Sequence, residues 1–160
     1  MKKLSSYSVL AAMGLFSLGC GKKSSETPAP SKTDMLTNKN WIATAITVSP
    51  ALPVGGTLVT DYYAQLQSCS KDDFIRFETP NTYKEDEGNV KCNTADPQTV
   101  LGTWTFNGDQ TVITTSANTP QGTVTQSYNV VELSDATFKY SVGVPSNGVT
   151  YTLTVTNRKL

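Results

Sequence analysis

The strongest constraint on this chain is a strict alternation near its C-terminus. Phe138, Tyr140 and Val142 interleave with Thr137, Lys139 and Ser141; Val149, Tyr151, Leu153 and Val155 interleave with Thr150, Thr152, Thr154 and Thr156. Successive side chains of a strand point to opposite faces, so a period of two with one polar face specifies antiparallel strands with one side wet. The rest of the chain agrees. Thr occurs 24 times, with Val, Ile, Tyr, Phe and Trp between, and β-branched and aromatic side chains suit a pleated surface. Long helical periodicity is absent.

Strands are predicted over 41–49, 73–79, 82–87, 99–106, 111–115, 123–132, 137–143 and 149–157. Asn107-Gly108 and Asn147-Gly148 tolerate the positive φ that both central residues of a type I′ turn require. Residues 118–122 and Ser134-Asp135 supply two further turns. Successive hairpins make an all-β, antiparallel up-and-down meander of about eight strands, and closing it into a small barrel removes two exposed edges. A pair of packed sheets is the alternative. Pro50, Pro53, Gly55 and Gly56 break the first strand. After them Thr60-Asp61 can cap one short helix, ending near Ser68, between strands 1 and 2.

Residues 1–19 have the layout of a secretory signal. Lys2 and Lys3 precede an apolar stretch, Val9 to Leu18, too short for the about 20 residues a bilayer span needs. The stretch ends at Gly19-Cys20, which resembles the bacterial lipobox, where the cysteine thiol is lipidated and becomes the new N-terminus. Ser17 and Leu18 depart from its usual order of an aliphatic and then a small residue. A cleaved signal with an incidental thiol at Cys20 is the alternative. Two or more acyl chains on such a cysteine give stable attachment, each buried CH₂ contributing about 0.8 kcal/mol. Residues 20–33 follow as a tether, without large apolar side chains to offset ordering entropy. Residues 34–160 suit one domain. The expected location is the bacterial cell envelope, lipid-anchored at the outer membrane on its periplasmic or surface face. Gly21 stands where inner-membrane retention often uses an acidic residue.

The chain carries 13 basic and 13 acidic residues; removing Lys2 and Lys3 leaves 11 against 13. Without a basic cluster to neutralise phosphates, nucleic acid is not an expected partner. Cys69 and Cys92 remain as an even pair, expected to form a disulfide in an oxidising compartment. That bridge is worth roughly 3 kcal/mol in the chain-entropy model. A zinc site lacks a second ligand pair, and the spacing is not that of a redox C-x-x-C motif.

The stretch Leu36-Thr37-Asn38-Lys39-Asn40-Trp41, then Cys69-Ser70-Lys71-Asp72-Asp73, Thr82-Tyr83, Glu87-Gly88 and Cys92, and Gly102-Thr103-Trp104 before Asn107-Gly108 together resemble the bacterial lipocalin-like domain family of small lipidated envelope proteins. The resemblance spans about residues 35–160 and implies a lipocalin-like barrel. In the wider lipocalin family an Arg after the last strand stacks on the first-strand Trp, so it implies that Trp41 and Arg158 form a barrel-closing pair. Lys39 stands where that family has Gly. A core Trp and a merely exposed Arg are the alternative.

No His occurs, which removes Ser-His-Asp and Cys-His catalysis and imidazole acid–base work. Carboxylates are the remaining catalytic option, and Asp72, Asp73, Glu85, Glu87, Asn89 and Asp96 offer oxygens to calcium without a recognised loop signature. A solvated acidic turn is the expected reading, with no catalysis, no metal and no cofactor. The strand aromatics carry more interest. An eight-stranded barrel either holds one small ligand or is filled by its own side chains. The candidate ligand-binding set is Phe77, Trp104, Tyr128, Phe138, Tyr140 and Tyr151, with Tyr62 and Tyr63 on a lid at one mouth. Two functions follow: a monomeric, membrane-anchored module binding a small hydrophobic ligand, or a structural or interaction lipoprotein with a filled barrel. A cavity of about 300 Å³ or more favours the first.

Overall fold

The computed structural model describes residues 29–119 and 122–160; the expected signal segment 1–19 and Cys20 lie outside the described residues. Nine strands form one antiparallel sheet: β1 (Asn40–Val54), β2 (Thr57–Asp61), β3 (Phe74–Glu78), β4 (Thr82–Asp86), β5 (Thr99–Phe106), β6 (Val112–Thr119), β7 (Gly122–Leu133), β8 (Thr137–Ser146) and β9 (Val149–Lys159). From β3 to β9 each strand pairs with its neighbour in the chain, and β1 pairs with both β3 and β9. The meander therefore closes into an eight-stranded barrel, with β2 as an extra strand on the outer half of β1.

The first strand differs from expectation. It runs through Pro50 and Pro53 instead of ending before them. Pro cannot donate to a ladder, so it survives at bulges and edges. Pro50 lies in the irregularity between the Thr47–Asp61 and Leu52–Val59 pairs. The short helix expected after Thr60-Asp61 is also replaced. Residues 57–61 are strand, followed by single 3₁₀ turns at Tyr63–Gln65 and Ser68–Ser70. The cap itself is present, since Asp61 Oδ1 accepts the Ala64 N–H at 3.1 Å. Leu66 then turns to extended backbone at ψ 144°, which ends the helical stretch after a single turn.

One end of the barrel is plugged. A short helix, α1 (Lys32–Leu36), starts inside the segment expected to be tether, and a capping box fixes it. Ser31 Oγ accepts from the Asp34 N–H at 3.1 Å, while the Asp34 carboxylate accepts from the Ser31 N–H at 3.0 Å; each such bond satisfies a helix-start donor. Leu36 is fully buried, and its carbonyl accepts from the Trp41 indole N–H at 2.8 Å. Around them pack Phe77, Trp104, Ile113 and Phe138. Phe77 meets Trp104 and Phe138 edge to face, at 5.5 and 5.8 Å between centroids. Such geometry adds about 0.5–1.5 kcal/mol per pair beyond area burial. The core is this floor.

Junctions 79–81, 107–111 and 134–136 lie at the floor end; the 62–73 segment, the 87–98 loop and the Asn147-Gly148 turn lie at the other. Asn147 and Gly148 have φ of 50° and 77°, as a type I′ turn requires. Asn107-Gly108 does not form that turn. Instead Gln110 takes the left-handed conformation at φ 53°. Asn107 Oδ1 accepts the Thr111 and Val112 N–H groups at 2.8 and 2.9 Å, so its side chain organises a longer connection. Between β5 and β6 the backbones come unusually close: a Cβ on Gly102 would lie 2.2 Å from the Ser116 carbonyl oxygen.

Candidate functional site

Strand parity decides what the open end presents. On β4, Tyr83 and Glu85 share a face, and Glu85 lies in register between Ile75 of β3 and Val100 of β5. Both neighbours pack toward the core, so Glu85 points into the mouth. On the far wall Ile46 pairs with Val155, which pairs with Tyr140. These residues bound an open cavity of about 240 Å³, with Phe74 and Ile75 on its walls and Asp73, Asp86 and Glu87 on its rim. One step further up the same face, Val48 pairs with Leu153, and Tyr151 pairs with Val144. There a second cavity of about 220 Å³ lies between Val48, Leu52, Tyr62, Val144, Tyr151 and Leu153. Neither alone reaches the roughly 300 Å³ usual for a small-molecule site, but the two adjoin along one wall.

The rim is stapled. The Cys69–Cys92 disulfide, with Cα atoms 5.2 Å apart, ties the 62–73 segment to the 87–98 loop. Asp72 adds a second tie: its Oδ2 accepts the Asn89 and Val90 N–H groups at 2.7 and 3.1 Å. Gly88, at φ 64°, sits so close that a Cβ would lie 2.4 Å from the Asp72 carbonyl oxygen.

The electrostatics of the mouth are one-sided. Burial, and then the charges of Glu87, Asp72, Asp86 and Glu85, push the Asp73 carboxyl up to about 6. Its Oδ1 is shut off from solvent and has no hydrogen-bond partner. Glu85 accepts from the Tyr83 hydroxyl at 2.6 Å. Burial also acts on Asp86, but hydrogen bonds from Gln98, Lys84 and Thr99 outweigh it and hold that group below the usual range. Burial, then the neighbouring Tyr128 and Glu85, raise the Tyr140 phenol.

The sequence-predicted residues divide in three. Phe77, Trp104 and Phe138 are buried in the floor and line neither cavity, so they are packing rather than ligand-facing residues. Tyr140 lines the first cavity, and Tyr62 and Tyr151 line the second. Tyr128 stands behind them, its ring 4.8 Å from that of Tyr140. Tyr63 lies on the 3₁₀ turn outside both cavities, with Lys71 Nζ 5.1 Å from its ring. The expected stacking of Arg158 on Trp41 is absent. Arg158 alternates with the inward Val155 and Asn157, so it faces outward and donates to the Lys159 carbonyl. Lys39 takes the place of the cation, 5.9 Å from the Trp41 ring. The two strands still close the barrel there, through the Ile42–Arg158 pair.

Asp73 and Glu85 as cavity groups escaped the sequence reading, which took the acidic residues for a solvated turn. The available signal was parity, since Glu85 follows the aromatic Tyr83 by two. Among the described residues no group of three or more His, Cys, Asp or Glu side chains converges as a metal site would.

A family model described as lipocalin-like domain matches residues 37–140. No curated protein matches the chain. Among solved structures, the complex of bovine odorant binding protein with a selenium-containing odorant is similar over 84% of this chain and 76% of that one. The identity is 17% and the TM-score 0.43.

Proposed function

The chain belongs to the lipocalin-like domain family, and from that premise we propose that it is a non-catalytic carrier, holding one small, largely hydrophobic molecule in the barrel mouth. One observation carries this reading: the barrel is filled at the floor and open above it, with apolar walls from four strands around the cavity. A filled barrel would have left no such space. The few polar groups at the mouth suit orientation of a ligand. The carrier is held outside the cytoplasm as a lipoprotein of the bacterial envelope, by acyl chains on Cys20, at the periplasmic or surface face of the outer membrane. The Lys2, Lys3, Val9–Leu18, Gly19-Cys20 layout supports that part.

Native mass spectrometry of the protein taken gently from an envelope extract tests the carrier reading. A reproducible mass excess that organic solvent removes is the expected result, and a bare protein mass counts against it. For the anchor, labelled palmitate is expected to enter the wild-type chain and to be absent from Cys20→Ser.

A further inference from the structure

The mouth holds more negative charge than a purely apolar ligand needs. Asp73 and Glu85 face the first cavity from adjacent elements, and among the described residues neither makes a salt bridge. The nearby cations are engaged elsewhere. Lys84 pairs with Asp86 at 3.0 Å, and Lys71 lies over the Tyr63 ring. Asp73 and Tyr140 line the same space, and Asp73 Oδ1, shut off from solvent, has no hydrogen-bond partner to share its charge.

We propose that the carried ligand is a cationic amphiphile, an amine whose ammonium sits between Asp73, Glu85 and Tyr140 while its tail runs along the wall into the second cavity. This rests on the carrier reading above and names its ligand class. An ammonium brings three N–H donors and no acceptor, which matches two carboxylates and a phenol oxygen. Its charge also relieves the crowding of like charges around Asp73. A neutral apolar ligand would strip water from the carboxylates and offer no donor in return, which is unfavourable. An anion would be repelled. The tail has a continuous apolar path, because the Ile46–Val155 and Val48–Leu153 pairs are successive on one face. At about 3.3 Å per residue they stand about 7 Å apart, within reach of a short alkyl chain. The Tyr140 ring beside the carboxylates adds a face that attracts a cation.

Calorimetric titration of the full chain at pH 7.5 with n-octylamine, n-octanol and octanoate tests the assignment. Octylamine is expected to bind roughly tenfold or more tighter than octanol, as attraction at a partly exposed site allows, with octanoate weakest. From butylamine to octylamine, affinity should rise by up to about fourfold per methylene. Replacing Asp73→Asn and Glu85→Gln together should remove the advantage of octylamine over octanol. Octanol or octanoate binding as tightly as octylamine overturns the cation assignment and leaves the carrier reading standing. Binding of none of the three overturns it as well, the native mass measurement then deciding the carrier reading by itself. If the double substitution impairs folding, the three-ligand comparison on the unaltered chain still decides.

Discussion

Truncating Phe138 to alanine separates the plugged floor from the open mouth. Phe138 is 1% exposed, and its ring lies 5.8 Å from Trp41, 5.8 Å from Phe77 and 5.2 Å from Tyr140. Removing a ring so enclosed forfeits its transfer free energy and leaves a void that neighbouring rings cannot fill, at about 3–5 kcal/mol. That is a large part of the about 5–15 kcal/mol a domain has in total. Urea unfolding followed by the fluorescence of the buried Trp41 and Trp104 measures it. With a slope of about 2 kcal/mol per molar, the midpoint should fall by about 2 M. Phe138→Leu, which keeps much of the volume, should cost about 1–1.5 kcal/mol and leave any bound-ligand mass in place. A midpoint shift below about 0.5 M for Phe138→Ala, at unchanged slope, would refute the division into floor and mouth.

Other outcomes follow from the same geometry. Replacing Cys69 and Cys92 together with Ser should lower unfolding free energy by about 2–4 kcal/mol, and reductant should then no longer alter the unfolding midpoint. Gly102→Ala must push β5 and β6 apart and should destabilise by about 1–3 kcal/mol; an unchanged midpoint would show that the strands yield freely. Asp73 has its folded pKa raised to about 6, so its contribution to stability is complete below about pH 4 and declines as pH rises through 6. Asp73→Asn lacks that decline. Its melting temperature relative to wild type should therefore climb between pH 4 and 7 and be higher above pH 7; a difference constant across that window would contradict the crowded-carboxylate account.

Most of the barrel was legible because two signals coincide along the chain: alternation marks the strands, and turn residues mark their ends. From β3 to β9 the expected bounds lie within a few residues of those observed. Legibility failed where one residue type had two physical readings. Pro50 and Pro53 read as breakers, yet a bulge and an edge partner accommodate them in β1. Asn107 read as half of a tight turn, but its side chain found two backbone donors and built a wider one. The aromatic set was found as strand residues, while its depth in the barrel depends on which end closes, and α1 with Leu36 decides that from outside the sheet. Lys39 was visible as a departure from the family's Gly; that it supplies the cation over Trp41 needed the register of β1 and β9.

The route of the chain into the barrel sets which pole the N-terminal segment joins. Residue 31 enters beneath the plugged base, beside Trp41 and Leu36. With an acyl anchor upstream at Cys20, as proposed, the segment leading to the bilayer would join the barrel at its base and leave the opening clear. Cargo entering or leaving the mouth then need not pass the segment that carries the anchor.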